Sequence, residues 1–217
     1  MNIEQARFNM IEQQIRPWNV LDQDVLDLLH VVKREQFVPE AYQNLAFADV
    51  EIPLPGGVAM FNPKVEARIL QELKLQKNET VLEVGAGSGY MAALMAHQAR
   101  QVTTVELSPE IKALAEQNLK KAGVDNVTVV EGNAAAGWDK GAPFDVIVIS
   151  GGLESLPAAF LQQLKVGGRI AAIVGQAPAM QCVLVTRVSE AAYDTVTVFE
   201  TNVKMLSGAP AVSRFTF

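Results

Sequence analysis

Gly85, Gly87 and Gly89 occupy alternate positions directly after the apolar run 80–84, and an acid, Glu83, stands just ahead of the first of them. A glycine-rich turn between a strand and a helix lets main chain approach a ligand where side chains would collide, and the N–H groups of the following helix point at that ligand. In the dinucleotide fingerprint G-x-G-x-x-G the third glycine would fall at Tyr90. This departure, with Glu83 beside it, favours a nucleoside carrying an amino acid over one carrying a pyrophosphate. Glu106 closes the next apolar run, where a carboxylate can accept both hydrogen bonds from a ribose diol. A glycine triplet alone is also what a tight turn requires; the strand before it, Glu83 and Glu106 argue for a ligand.

Other chemistry-bearing residues are sparse. Cys182 is the single cysteine, so one chain forms no internal disulfide and no cysteine-rich zinc site, and its neighbours Val183, Leu184 and Val185 read as a buried strand. His30 and His97 sit far apart in helical patterns and suggest neither a metal site nor a catalytic pair. A net charge of −6 gives no bulk attraction to nucleic acid. No apolar run reaches the roughly 20 residues of a spanning helix. Residues 1–16 lack the apolar centre of a secretory signal. The expectation is a cytoplasmic protein with no membrane or nucleic-acid partner.

The elements that must position the loop fall into three zones. In the first, Ile3, Ala6, Met10, Ile11 and Ile15 follow helical spacing up to Pro17, a second helix fits 22–33, and proline and glycine then signal loops through 57. The apolar edge of these helices suits a cover for a sheet or a dimer surface, and nothing sets an oligomeric state. In the second zone, Asn62-Pro63 opens a helix to 73, and Ser108-Pro109-Glu110 opens another ending near Gly123. Strands are expected at 80–84, 101–106, 127–131, 144–149 and 169–174, with helices at 90–98 and 157–164. Strands spaced by helices predict a doubly wound α/β sheet, mostly parallel. In the last zone, 181–188 and 195–203 are joined by a turn and can close the sheet with an antiparallel edge, giving seven strands in all. The chain divides at 62/63 into an N-terminal helical extension with its acceptor-side loop (1–62) and a ligand-binding domain (63–217).

These residues resemble the class I S-adenosylmethionine-dependent methyltransferases of Rossmann-like fold. More narrowly, they resemble the protein-L-isoaspartate O-methyltransferase family, over about residues 30 to 217. The likeness rests on Gln36-Phe37-Val38-Pro39, Pro53-Leu54-Pro55, the segment from Val81 through Tyr90, and Gln163 through Arg169. The glycine motif is generic to the superfamily, whereas the upstream Phe-Val-Pro element is family-specific. The resemblance implies S-adenosylmethionine as cofactor, S-adenosylhomocysteine as product, no metal, and a protein-repair role. It places Glu83 and the main chain of Gly85, Ala86, Gly87 and Gly89 at the methionine end of the cofactor, with Tyr90 beside them. Glu106 and Leu107 would meet the ribose, and Gly132 and Asn133 the adenine. The family usually has an acid at the position of Asn133, whose side-chain carbonyl can still accept from the adenine amino group.

The acceptor segment departs from the family. Its Thr-Ile-Ser-x-Pro pattern, aligned on Pro63, finds Ala59 for the threonine and Phe61 for the serine. Asn62 could donate to the acceptor from its amide or only cap the helix that Pro63 opens. Phe61 and Asn62 are therefore the acceptor-side candidates, and no residue is assigned as catalytic. A carboxylate acceptor, with a reference pKa of about 4, needs no general base; alignment and exclusion of water suffice. Amino-group methylases are known by an Asn/Asp-Pro-Pro-aromatic motif after the fourth strand, where this chain has Ser150-Gly151-Gly152-Leu153. Cytosine methylases use Pro-Cys, and here Gln181 precedes Cys182. The leading expectation is methylation of L-isoaspartyl carboxylates in proteins or peptides. The alternatives are a small carboxylic acid as acceptor, suited to Met60 and Phe61, and a non-catalytic module that binds the cofactor.

Overall fold

Proline and capping residues set most helix starts in the computed structural model, which describes residues 2–210; the end of the expected 63–217 segment lies outside them. Helix α1 (Ile3–Met10) begins at Asn2, and α2 (Gln23–Val31) at Asp22, whose side chain accepts from Asp24 N and Val25 N. Between them, the helix expected as far as Ile15 passes into a π turn over Ile11–Ile15. The wider turn lets the adjacent Met10 and Ile11, and then Ile15, all face inward, and each is buried. The stretch read as loop contains a small antiparallel hairpin, β1 (Ile52–Pro53) with β2 (Ala59–Met60).

Helix α3 (Pro63–Leu73) follows, with Pro63 in its first turn. Strand β3 (Thr80–Val84), α4 (Tyr90–Ala96), β4 (Gln101–Glu106), α5 (Pro109–Lys121), β5 (Val127–Glu131), β6 (Phe144–Leu153), α6 (Ala158–Gln162), β7 (Leu164–Gln176), β8 (Ala179–Arg187) and β9 (Tyr193–Thr201) complete the chain. The seven long strands form one sheet in the order β5-β4-β3-β6-β7-β8-β9. It is parallel from β5 to β7, and β8 runs antiparallel to both its neighbours.

Strand β6 continues to Leu153 rather than ending at 149, because the chain after β9 folds back onto it. Gly152 N donates to Lys204 O and Leu206 N to Gly152 O, both at 2.8 Å. Strand β7 likewise starts early, since Leu164 pairs with Phe144 before the glycine turn.

Alternate side chains of the central strands supply two cores, as a sheet covered on both faces requires. Val81, Val146, Val148 and Ile173 pack under α3, α4 and the N-terminal extension, which contributes Met10, Leu29, Phe37 and Phe47. Leu82, Ile147, Ile149 and Ile170 face α6 and Trp138. Residues 2–62 thus cover one face of the sheet. Trp18 packs edge-on against Phe199 of β9, ring centres 4.8 Å apart. Cys182 is buried within β8. No described helix is long and apolar enough to cross a membrane.

Candidate active site

Strands β3 and β4 are adjacent and parallel, so the loops leaving their carboxyl ends share one edge of the sheet. The strand order reverses at β3, which has β4 on one side and β6 on the other, and a crevice opens there. This cleft spans about 590 Å³, part of it open to solvent. Gly85 and Gly87, Glu106 and Leu107, and Gly132 and Asn133 line it from the carboxyl ends of β3, β4 and β5. Ser150 and Gly151 line it from β6, while Val58, Ala59 and Phe61 close it from the hairpin side.

Gly85 has φ +91°, and a Cβ there would come within 3.2 Å of the Ser150 carbonyl oxygen, so only glycine lets the loop lie this close to β6. Glu106 is held from two directions. Ser108 N donates to Oε1 at 3.0 Å and Gly87 N to Oε2 at 3.3 Å, which fixes the carboxylate at the cleft wall. Asn133 Oδ1 already accepts from Ala135 N at 3.0 Å, leaving its second lone pair and the amide N–H groups for a ligand.

A second volume of about 290 Å³ adjoins the cleft beneath the glycine loop and shares Ala59, Phe61, Gly85, Gly87 and Ser150 with it. Glu66, Glu83, Ala86 and Tyr90 line it. Ser150 Oγ donates to Glu83 Oε1 at 2.8 Å, but Glu83 Oε2 and the Tyr90 hydroxyl are buried and find no hydrogen-bond partner among the described residues. Burial pushes the Glu83 carboxyl up to about 8; the side chains of Thr104 and Ser150 beside it oppose this, and the nearby carboxylates of Glu106 and Glu66 add to it. Burial likewise raises Glu66 to about 7 against the pull of Arg34. A chamber lined by a buried carboxyl that can ionise when a cation enters suits a group such as an ammonium.

Not every expected site residue lines the cleft itself. Gly89 lines neither volume. Its φ is +85°, and a Cβ would meet Leu119 Cγ at 3.1 Å and Ala115 O at 3.2 Å, so its small size serves the packing of α4 on α5. Tyr90 lies below the cleft, tilted against Phe37 and under the guanidinium of Arg34, 5.1 Å from its ring centre. Asn62 occupies the N-cap position of α3, yet its side chain neither caps the helix nor enters the cleft. Its Nδ2 donates to Asp49, at 3.1 Å to the carbonyl and 3.3 Å to Oδ1. Trp138 packs beneath Gly132, where a Cβ would lie 2.7 Å from its ring.

Other residues had no signal in sequence. Arg34 is buried and forms an ion pair with Glu66. It also donates from Nε to Ala46 O at 3.1 Å and from Nη2 to Phe61 O at 2.6 Å. One side chain therefore fastens the extension to the segment that walls the acceptor side. Glu51 and Lys204 line the same end of the cleft, brought there from positions far apart in the chain.

A doubly wound sheet of seven strands, a glycine loop after β3 and an acid at the tip of β4 define the Rossmann-like methyltransferase class. Residues 5–204 match the family profile described as protein-L-isoaspartate(D-aspartate) O-methyltransferase. The chain belongs to that family. A protein-L-isoaspartate O-methyltransferase 2 of Marinobacter nauticus is 37% identical over 89% of each chain. A homologue of the same name from Anaeromyxobacter sp. is 41% identical over 77% of this chain and 69% of its own. Among solved structures, a protein-L-isoaspartate O-methyltransferase superposes with a TM-score of 0.79 at 24% identity, covering 93% of this chain and 66% of that longer one. A Plasmodium falciparum protein of that description, in complex with S-adenosyl-L-homocysteine, gives 0.80 at 18% identity, covering 95% and 99%. At these identities the two structures bear on the fold alone.

Proposed function

We propose that this chain is an S-adenosylmethionine-dependent enzyme that methylates the carboxylate of L-isoaspartyl residues in proteins or peptides. The observation that carries the reading is the family match over residues 5–204 on a chain whose cleft holds the glycine loop and Glu106 together. The residues present fit the cofactor. Gly85 gives the close backbone approach, Glu106 presents a fixed carboxylate to a ribose diol, and the chamber at Glu83 offers an unsatisfied acceptor to the methionine ammonium. Leu107, Gly132 and Asn133 would bound the adenine and ribose. When bound, the sulfonium supplies an electrophilic methyl group.

The protein's part is alignment and exclusion of water. An acceptor carboxylate oxygen forms the new O–CH3 bond as the S–CH3 bond breaks, the electron pair leaves on sulfur, and no proton changes hands. Phe61, buried at the junction of the two volumes, shields that point from solvent. The described part of the extension before Pro63 supplies most of the acceptor-side wall, and the domain that Pro63 opens supplies the cofactor side. A cytoplasmic location, where damaged proteins and cofactor meet, belongs to the same reading. The test is mass-spectrometric detection of a methyl ester on an isoaspartyl peptide incubated with protein and S-adenosylmethionine. Calorimetric binding of S-adenosylhomocysteine with no ester above blank would sink the reading.

A second reading, methylation of a small carboxylic acid, draws on the hydroxyl-free wall of Val58, Ala59 and Phe61. A panel of aromatic and aliphatic acids with the same detection separates the two. Cofactor binding without product from any acceptor would leave a non-catalytic module.

A further inference from the structure

The acceptor end of the cleft presents a charge problem. Val58, Ala59 and Phe61 offer it no side-chain hydrogen-bond donor. The acids Glu51 and Glu106 line the cleft itself. A carboxylate brought into such surroundings is repelled unless a cation receives it. Among the described residues lining either volume, Lys204 is the one that carries a positive charge.

Its placement is built into the fold. The main chain of Lys204 is fixed against the end of β6, because its carbonyl accepts from Gly152 N at 2.8 Å and Met205 forms a bridge with Gly152. Lys204 N also points to Glu51 Oε1 at 3.4 Å. From this anchor the side chain reaches across to the hairpin, where Nζ donates to Gly57 O at 3.0 Å, close to Ala59 in the chain. An ammonium has three donors. No described carboxylate lies within 4.0 Å of this one. Two N–H groups remain on this exposed side chain, which lines the cleft and whose charge also acts on Glu51.

We infer that Lys204 receives the acceptor carboxylate and is the charge-selective contact on the acceptor side. The inference rests on the proposed carboxyl methylation but not on which acid is methylated. The competing role is purely structural, a tie between the Gly57 loop and β6. The two roles differ in what they discriminate. A tie affects every acceptor alike, whereas a carboxylate receptor affects only the charged form.

The experiment uses the full chain saturated with S-adenosylhomocysteine and measures binding by calorimetry. The probes are two matched pairs: an isoaspartyl peptide with its isoasparaginyl counterpart, and phenylacetate with phenylacetamide. Wild type should bind the carboxylate of at least one pair more tightly than the amide. In Lys204→Met that preference should fall about tenfold, with amide binding and the Kd for S-adenosylhomocysteine unchanged. Lys204→Arg, which keeps the charge, should restore most of it. Equal weakening of carboxylate and amide, or an unaltered preference, would overturn the inference. So would a wild type that prefers neither carboxylate. If phenylacetate shows the preference and the isoaspartyl peptide does not bind, the isoaspartyl assignment fails, and Lys204 is judged by the same criterion on the acid that binds.

Discussion

Ser150 Oγ, on β6, donates to Glu83 Oε1, on β3, at 2.8 Å, so the tips of the two central strands are joined directly beneath the glycine loop. The bond satisfies one carboxyl oxygen; the other is buried without a hydrogen bond of its own, on the strand position beside Thr104 of β4. With its carboxyl pushed up to about 8, Glu83 is largely protonated at pH 7 in the free protein.

A cation entering the chamber that Glu83 lines favours the ionised carboxylate, so cofactor binding at pH 7 should release a proton. Titrations in buffers of different ionisation enthalpy should give heats that differ accordingly. Glu83→Gln should abolish the difference and weaken binding roughly tenfold. Buffer-independent heats in the wild type would remove Glu83 from the ammonium site.

The same two carboxyls set a pH trend in stability. Glu66 at about 7 and Glu83 at about 8 bind protons more tightly folded than in an unfolded chain, where carboxyls titrate near their ordinary value of 4.5. Their contribution is therefore full below that value and is lost as pH rises through 7 and 8. Without cofactor, the Tm should be lower at pH 9 than at pH 6. Together the two shifts amount to at most about 4 kcal/mol between these pH values, corresponding to roughly 8–16 °C in a chain of this size. Glu83→Gln should narrow the gap; an equal or higher Tm at pH 9 would contradict the burial argument.

Gly89 and Gly123 both have positive φ, +85° and +70°, but only Gly89 is crowded. Gly123→Ala should cost about 1 kcal/mol, the strain of a left-handed alanine. Gly89→Ala should cost about 2–4 kcal/mol, because its Cβ would also press on Ala115 and Leu119 of α5. Denaturant midpoints that place the two variants together would refute the packing role.

Arg34→Met leaves Glu66 buried without its partner, a loss of about 3–5 kcal/mol. Adding Glu66→Leu should recover most of that stability. It cannot restore the hydrogen bond to Phe61 O, so the KM for the acceptor should stay raised while the affinity for cofactor returns. A double variant with a wild-type acceptor KM would show that Arg34 only fills space.

Much of the scaffold could be read without coordinates because local rules agree there. Pro63 and Ser108-Pro109 mark real helix starts, and the apolar runs ending at Val84, Glu106 and Glu131 are strands β3, β4 and β5. The residues from Glu83 to Glu106 were legible as one region but not in their separate positions. Gly89 and Tyr90 share a motif with Gly85, yet Gly89 packs against α5, while Tyr90 lines the adjoining chamber beneath Arg34. Spacing cannot distinguish a glycine near a ligand from one near a helix. Asn62 illustrates the reverse case: its position favours a cap, and Asp49 on a neighbouring loop captured its amide. Arg34, Glu51 and Lys204 were silent because a lone charged residue in a polar stretch has no periodicity to reveal that the fold will gather it in.

Arg34 grips Phe61 by its carbonyl oxygen. A carbonyl is common to all twenty amino acids, so the anchor does not care which side chain occupies position 61. The wall facing the acceptor can be rewritten residue by residue while its backbone stays pinned to the same guanidinium. In evolutionary terms, that separates retention of the scaffold from choice of substrate, and it gives this chain a route by which both expected hydroxyls could be lost without dismantling the cleft.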